Sequence, residues 1–572
     1  MCGSTLEANK GWATKNIEEM LGTKIPKDTC VIIETGGCRT WRNYDISKKN
    51  ISRYRIKDGK LKLLEELESA SMGEASTLKD FLEYCLINYP AEKAGLIFWD
   101  HGSGSNGGVC FDTLFDYDHL SISELDEALS FLYEKGIKLD MVGFDACLMA
   151  NYETVAVMSK YADHMIASEE LEPGGGWDYG TVCTEYGSEN FYEDMLDAYE
   201  KKCLKAKKNY YTLAHIDLSL FGELEEAFED FCENELSRNA AVSLRNVVQY
   251  ADETMCFGGN GSSECYSDLI DLAMFAENNG NKDVADSVKN MVTLVCGEDR
   301  KGASGISFYY PLANDDEISS YLAWNGKGNY GSFLERYYQR EQDPGDSIVF
   351  TDRGSAREGE LHFELSAGSK ENIKSIAYKL YRIVPGENDS EEARCLGVDT
   401  DVIPDGENGF TTSFEGKWVM LEGNFLQCEA IDCVSSLTVY SSAAELNGEK
   451  GNIRFCFDSD SGEIRLLGFV PMEENGTQGR MLDIEAGDSL TLINEVLDTN
   501  FDRTLKRSET VIFSEASEIV VAPLPEGYYQ FYAIVTDLYG NEYRSDMILS
   551  EYTEGKLHAL VVTSEVEEDV GL

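Results

Sequence analysis

Two reactive side chains stand just beyond two short apolar runs, 46 positions apart: His101 follows Leu96-Ile97-Phe98-Trp99-Asp100, and Cys147 follows Met141-Val142-Gly143-Phe144-Asp145-Ala146. A thiolate attacks acyl carbon and an imidazole accepts and returns a proton near neutral pH, so the pair has the composition of an acyl-transfer site. Gly102 and Gly104 make the turn after the histidine permissive. On an extended chain residues two apart face one way, so Asp145 should emerge beside Cys147, where a carboxylate would receive a basic substrate side chain. The plainer role for Asp145 is to cap a helix expected directly after Cys147, marked by Leu148, Tyr152, Val155 and Met158. The N-terminus of that helix would also lower the thiol pKa. Trp177 and a second carboxylate, Asp178, lie in Glu172-Pro173-Gly174-Gly175-Gly176-Trp177-Asp178-Tyr179, which is either a pocket wall or an ordinary surface turn.

Strands that end in reactive residues and alternate with helices build a parallel sheet, whose chemistry lies beyond the carboxyl ends of the strands. The spacing fits: Ser121 and Glu124 form a capping box ahead of Leu125, Leu129 and Leu132, which makes the connection between the two reactive strands a βαβ crossover. Strands are also expected over 30–35, 164–168, 211–216 and 305–311, and helices over 78–89 and along Leu220, Leu224, Ala227, Phe228 and Phe231. After Asp343-Pro344-Gly345-Asp346 strands dominate, among them 376–384, 453–457, 464–470 and 529–535. The fold class is thus an α/β sheet with flanking helices followed by an all-β, sandwich-like region. The expected units are a core at 1–217, a helical extension at 218–343, a β domain at 344–460 and a β-sandwich-like domain at 461–572. The β half offers no reactive constellation.

Other motifs carry less. Gly102-Ser103-Gly104-Ser105-Asn106-Gly107 satisfies a dinucleotide fingerprint, but the residues after it read as extended, so no helix N-terminus is at hand for a pyrophosphate. His119 lies in a polar loop, and His164 and His215 flank apolar runs as structural residues do. The 16 cysteines form no C-x-x-C pair, and the closest, Cys428 with Cys433 and Cys256 with Cys265, lack nearby histidines, which argues for free thiols and no metal site. With 104 acidic against 49 basic residues, nucleic acid is excluded as a partner and cationic substrates are favoured. No apolar stretch reaches membrane-spanning length.

The blocks Phe98-Trp99-Asp100-His101-Gly102, Phe144-Asp145-Ala146-Cys147-Leu148-Met149, Ala167-Ser168-Glu169-Glu170 through Gly176-Trp177-Asp178-Tyr179, and Met1-Cys2-Gly3-Ser4 with Leu6-Glu7 together resemble the clostripain family of cysteine peptidases, which share a caspase-like fold with gingipains, legumains and separases. The resemblance covers roughly residues 1 to 340. It implies Cys147 as nucleophile, His101 as general acid/base, the backbone N–H groups of Gly102 and Cys147 as the oxyanion site, and cleavage after Arg or Lys selected by Asp145, with Asp178 and Trp177 as further substrate contacts. The implied partners are peptides or proteins with basic residues. No cofactor is implied as required; calcium, needed by some relatives, stays open, although no EF-hand-like loop is present.

Two departures stand out. No Lys or Arg occurs between Gly102 and Glu134, so self-cleavage in the loop after the histidine is not expected, and Lys201-Lys202 or Lys205 to Lys208 is the weaker alternative. The chain also begins at what resembles the end of the family's first strand, and its first residues are no signal peptide. An upstream segment carrying a leader is therefore expected, and with it an extracellular or cell-surface bacterial setting, with a cytoplasmic one open. The competing classes are a catalytically silent binding or adhesion protein on the same scaffold, docking through Tyr528-Tyr529-Gln530-Phe531-Tyr532, and a nucleotide-dependent oxidoreductase.

Overall fold

The computed structural model describes residues 1–236, 241–259, 268–311, 316–338, 347–386, 390–498 and 502–563. The expected 343/344 boundary and Cys265 lie outside the described residues.

A five-stranded sheet runs in the order Val292–Cys296, Thr212–Asp217, Ala162–Ala167, Leu139–Asp145, Gly95–Trp99. The last three are mutually parallel, and Thr212–Asp217 is antiparallel to both of its neighbours. Residues 2 and 3 lie along the Gly95–Trp99 edge: the Cys2 N–H donates to the Trp99 carbonyl (3.1 Å) and the Gly3 N–H to that of Gly36 (2.9 Å). They thereby bridge to a second, antiparallel sheet of Val31–Thr35, Ser52–Lys57 and Lys60–Glu66.

The Leu139–Asp145 strand reads as an apolar run because both its faces are covered. Val142 and Phe144 join one core with Phe98, Leu125 and Leu129, while Met141 joins another with Trp99, Ile166 and Leu213. The crossover helix is Ile122–Lys135. Its capping box is present, Gly136 ends it in the left-handed region at φ 63°, and it buries Ile122, Leu125, Leu129 and Leu132 at helical spacing.

From Phe350 onward every pairing between strands is antiparallel, with the largest sheet holding 13 strands. The α/β sheet followed by an all-β region is the expected fold class. Glu449–Asp458 and Glu463–Pro471 form one hairpin across the expected 460/461 division, and a single core draws on residues from Ile348 to Leu557. No helix among the described residues is long and apolar enough to cross a membrane.

The β half sits directly over the end of the α/β sheet. Cys147, Leu148 and Leu171 share an apolar cluster with Ile431, Val439, Cys456, Val470 and Met481. Beside it the buried Arg300 pairs with Glu170 (3.0 Å) and with Asp432 of the β half (2.5 Å).

Candidate active site

Parallel pairing sets Trp99 opposite Asp145 as the last matched residues of their strands, so His101 and Cys147 each stand two positions beyond the ladder on neighbouring strand ends. The two turns touch: a β-carbon at Gly102 would lie 2.2 Å from the Cys147 carbonyl oxygen. Gly102 faces Val109 across a bridge whose hydrogen bonds run through the flanking residues, Ser103 N–H to Gly108 and Cys110 N–H to His101. Its own N–H is therefore outside that ladder. Within the glycine-rich loop, Gly104–Gly107 form one helical turn before the Val109–Asp112 strand. Four residues make no N-terminal anion site.

Cys147 does not open a helix. Leu148 takes a left-handed φ of 65°, and the next helix is Tyr152–Met158, capped by Asn151, whose side chain accepts from the Thr154 N–H. Asp145 consequently caps nothing there, and the thiol gains no helix-terminus field. Its Sγ is fully buried and accepts from the Glu172 N–H at 3.2 Å. Burial pushes the thiol up to about 12, against a downward pull from Arg480, which corrects the expectation of a lowered value.

His101 is buried as well. Its Nε2 lies 2.8 Å from the Thr5 hydroxyl and 3.4 Å from Glu473 Oε1, while Nδ1 has no hydrogen-bond partner among the described residues. Burial alone would depress the imidazole pKa, but the Glu473 hydrogen bond and the charges of Asp100 and Glu473 raise it above its ordinary value.

Asp145 lines an acidic pocket, and the pocket is filled. Its Oδ2 accepts from the Tyr179 hydroxyl at 3.0 Å, and its Oδ1 lies 2.9 Å from Nη2 of Arg480, which also donates to the Asp145 carbonyl at 2.6 Å. Asp145 and Arg480 are both fully buried. Trp99 faces the guanidinium at 5.2 Å. Glu172 is the second carboxylate, accepting from Trp177 Nε1 (3.3 Å) and the Tyr199 hydroxyl (2.7 Å); burial, then Asp145, pushes it up to about 8. Gly176, at φ 53°, leaves room for the charge, since a β-carbon there would stand 2.3 Å from Arg480 Nη1.

Of the proposed substrate contacts, Asp145 and Trp177 belong to this pocket and Asp178 does not. Asp178 Oδ1 accepts from the Thr181 N–H at 2.8 Å as the cap of the Tyr179–Glu185 helix, the ordinary use of an aspartate ahead of a helix. Lys202 Nζ donates to the carbonyls of Gly175 and Trp177, both at 2.9 Å, and pins the loop from outside. Glu172 is the pocket carboxylate that sequence reasoning passed over, and Thr5, Tyr179, Glu473 and Arg480 were missed with it. Thr5 and Tyr179 lie inside or beside matching blocks; Glu473 and Arg480 carry no local signal.

His119, His164 and His215 are structural. His119 stacks on Phe111, and His164 and His215 meet across adjacent strands at 3.2 Å, with burial holding His215 down at about 4. No group of three or more His, Cys, Asp or Glu side chains among the described residues is placed to hold a metal ion.

A model of the clostripain family, peptidase C11, matches residues 1–390. Clostripain of Hathewaya histolytica is 32% identical over 134 residues, which is 20% of this chain and 24% of that protein, so the match spans about a quarter of that relative's length. A secreted C11 cysteine protease of Bacteroides thetaiotaomicron, solved with an irreversible peptide inhibitor, is 19% identical, covering 58% of this chain and 96% of its own, with a TM-score of 0.45. An inactive zymogen C11 protease of Parabacteroides distasonis is 16% identical over 58% of this chain and 94% of its own, with a TM-score of 0.42. The family match takes in well over half of the sequence, both reactive strand ends and the Asp145 pocket wall, and the chain belongs to the clostripain family.

Proposed function

We propose that the chain is a cysteine endopeptidase cleaving after basic residues, with Cys147 as nucleophile and His101 as general acid/base. The observation that carries this reading is the Arg480 guanidinium seated on Asp145 in the crevice beyond two adjacent strand ends, one of which supplies a thiol and the other an imidazole. In the reaction, His101 takes the thiol proton and Sγ adds to the carbonyl carbon of the residue whose side chain fills the pocket. The resulting oxyanion is received by the Gly102 and Cys147 N–H groups. His101 returns the proton to the departing amine, and water then releases the acyl group from Sγ. The Thr5 hydroxyl lies 2.8 Å from Nε2, which leaves Nδ1 as the nitrogen available for that proton.

One nitrogen of the Arg480 guanidinium reaches both the carboxylate and the main-chain carbonyl of Asp145 while the group faces Trp99, contacts that support a basic residue, Arg or Lys, before the scissile bond. The substrates are peptides and proteins with accessible basic residues, in an extracellular or cell-surface bacterial setting.

The test is hydrolysis of fluorogenic peptides carrying Arg, Lys, Asn or Asp before the scissile bond, by reduced protein with and without calcium, beside Cys147→Ala. Cleavage confined to Arg and Lys and absent from Cys147→Ala is the expected result. Hydrolysis that survives Cys147→Ala overturns the assignment.

A further inference from the structure

The residue that fills the acidic pocket comes from the chain itself, and the segment bearing it is built rather than incidental. Residues 471–482 fold back on the end of the Glu463–Pro471 strand. Glu473 N–H donates to the Thr477 carbonyl, Gly479 N–H to that of Pro471, and Phe469 and Leu482 exchange both backbone bonds at 2.9 and 2.8 Å. The buried Arg454 guanidinium holds the tip by donating to Gln478 at 3.1 Å, and Lys208 of the α/β part pairs with Asp483 at its far end.

Three contacts then reach the crevice. Glu473 meets His101 and Thr5; Arg480 enters the pocket; and Met481 joins the pocket wall in a single bridge opposite Pro173, its N–H donating to the Glu172 carbonyl and its carbonyl accepting from the Gly174 N–H, both at 3.1 Å. Met481 also packs in the cluster that covers Cys147. Both reactive side chains are shut from solvent by this arrangement.

We infer that residues 473–481 are a tethered substrate mimic that holds the peptidase closed, with Arg480 occupying the place of a substrate arginine until the segment is displaced. This rests on the reading of the crevice as a substrate site. The physical case is the match of the contacts to what a bound peptide would offer: a guanidinium on the selecting carboxylate, main-chain pairing to the pocket wall, and an apolar neighbour over the nucleophile. A buried arginine with no such partner would be strongly disfavoured, so the pocket and the segment complete each other. Apparent affinity for an outside peptide falls in proportion to the open fraction. The segment therefore raises KM and leaves kcat at saturating substrate little changed.

The test measures binding without catalysis. On full-length Cys147→Ala, calorimetry with an acetylated tripeptide amide ending in Arg is compared with Cys147→Ala/Arg480→Ala and with Cys147→Ala/Asp483→Lys. The last reverses an exposed anchoring charge outside the pocket and guards against a folding defect in the Arg480 variant. At least tenfold tighter binding on loss of Arg480, and a smaller gain on reversal of Asp483, are expected. Equal affinity within twofold in all three, or no binding by any of them, overturns the inference. Hydrolysis by Arg480→Ala with Cys147 intact separates the two ideas: tighter peptide binding without hydrolysis leaves the mimic standing and removes the peptidase reading.

Discussion

Gly102 approaches Cys147 so closely that a single methyl group on it would lie 2.2 Å from the Cys147 carbonyl oxygen and 3.0 Å from Met149 Cγ. The backbone oxygen cannot yield without moving the nucleophile, so the turn after His101 and the turn bearing Cys147 are fixed against each other by the absence of a side chain. Gly102→Ala is expected to lose about 1–3 kcal/mol of stability by overpacking and at least tenfold in kcat. Chemical denaturation and peptide hydrolysis report the two effects, and a variant with unchanged kcat would show that the close approach does not position the reacting groups.

The Asp145–Arg480 pair is fully buried. Removing one partner strands a charge, which costs about 3–5 kcal/mol, whereas replacing both by apolar or neutral groups is nearly free. Asp145→Asn should thus destabilise the protein far more than Asp145→Asn combined with Arg480→Met, while both lose cleavage after Arg. Urea denaturation of the two variants decides it: equal stability loss would mean that the pair is not the source of the cost.

Glu172 carries a pH signature. Its carboxyl is raised from 4.5 to about 8 in the folded protein by burial and by Asp145. The folded state therefore binds a proton that the unfolded chain has released, and the associated stability is complete below pH 4.5 and lost as pH rises through about 8. Glu172→Gln keeps an acceptor for the Tyr199 hydroxyl and has no proton to lose. Its denaturation midpoint should decline less than that of the wild type between pH 5 and 8; parallel curves would locate the wild-type decline elsewhere.

His101 and Glu473 shift in opposite senses. Burial opposes both charges, yet the bond between them raises the imidazole above 6.5 and lowers the carboxylate below 4.5. The histidine contribution is present below pH 6.5 and disappears as pH climbs through its raised value; the glutamate contribution is present above pH 4.5 and disappears as pH falls through its lowered value. Stabilisation by the pair is thus greatest between those limits. Glu473→Gln should remove it and return the His101 titration, followed by NMR, toward or below 6.5. A titration unmoved by the substitution would sink the assignment of Glu473 as its partner.

The strand ends were legible because a strand buried on both faces must be apolar throughout, so the point where Phe98-Trp99 or Gly143-Phe144 gives way to a polar residue marks the end of the sheet. Ser121 and Glu124 were legible for a similarly local reason, a reciprocal bond within one helical turn. The helix expected directly after Cys147 starts later because Leu148 stands at helical spacing from Tyr152, Val155 and Met158, while the backbone turns left-handed at Leu148 and restarts only where Asn151 caps. Asp178 suits a pocket and a helix cap equally in sequence, because a carboxylate close after three glycines serves as either ligand or cap. Glu473 and Arg480 were invisible for another reason: Arg480 meets Asp145 across 335 positions of sequence, and a single arginine in a polar turn carries no pattern.

Arg480 also lies downstream of everything it fills. At roughly 5–20 residues per second of synthesis, Asp145 is made about 17–67 s before the arginine that will occupy its pocket, as their 335-position separation sets. The pocket carboxylate is thus made well before its occupant, and the crevice can close only when the β half has followed. Once joined, the occupant is held at an effective concentration on the order of millimolar by its own chain, and dilution does not remove it. The control therefore answers to the integrity of the last third of the polypeptide and not to the amount of protein present.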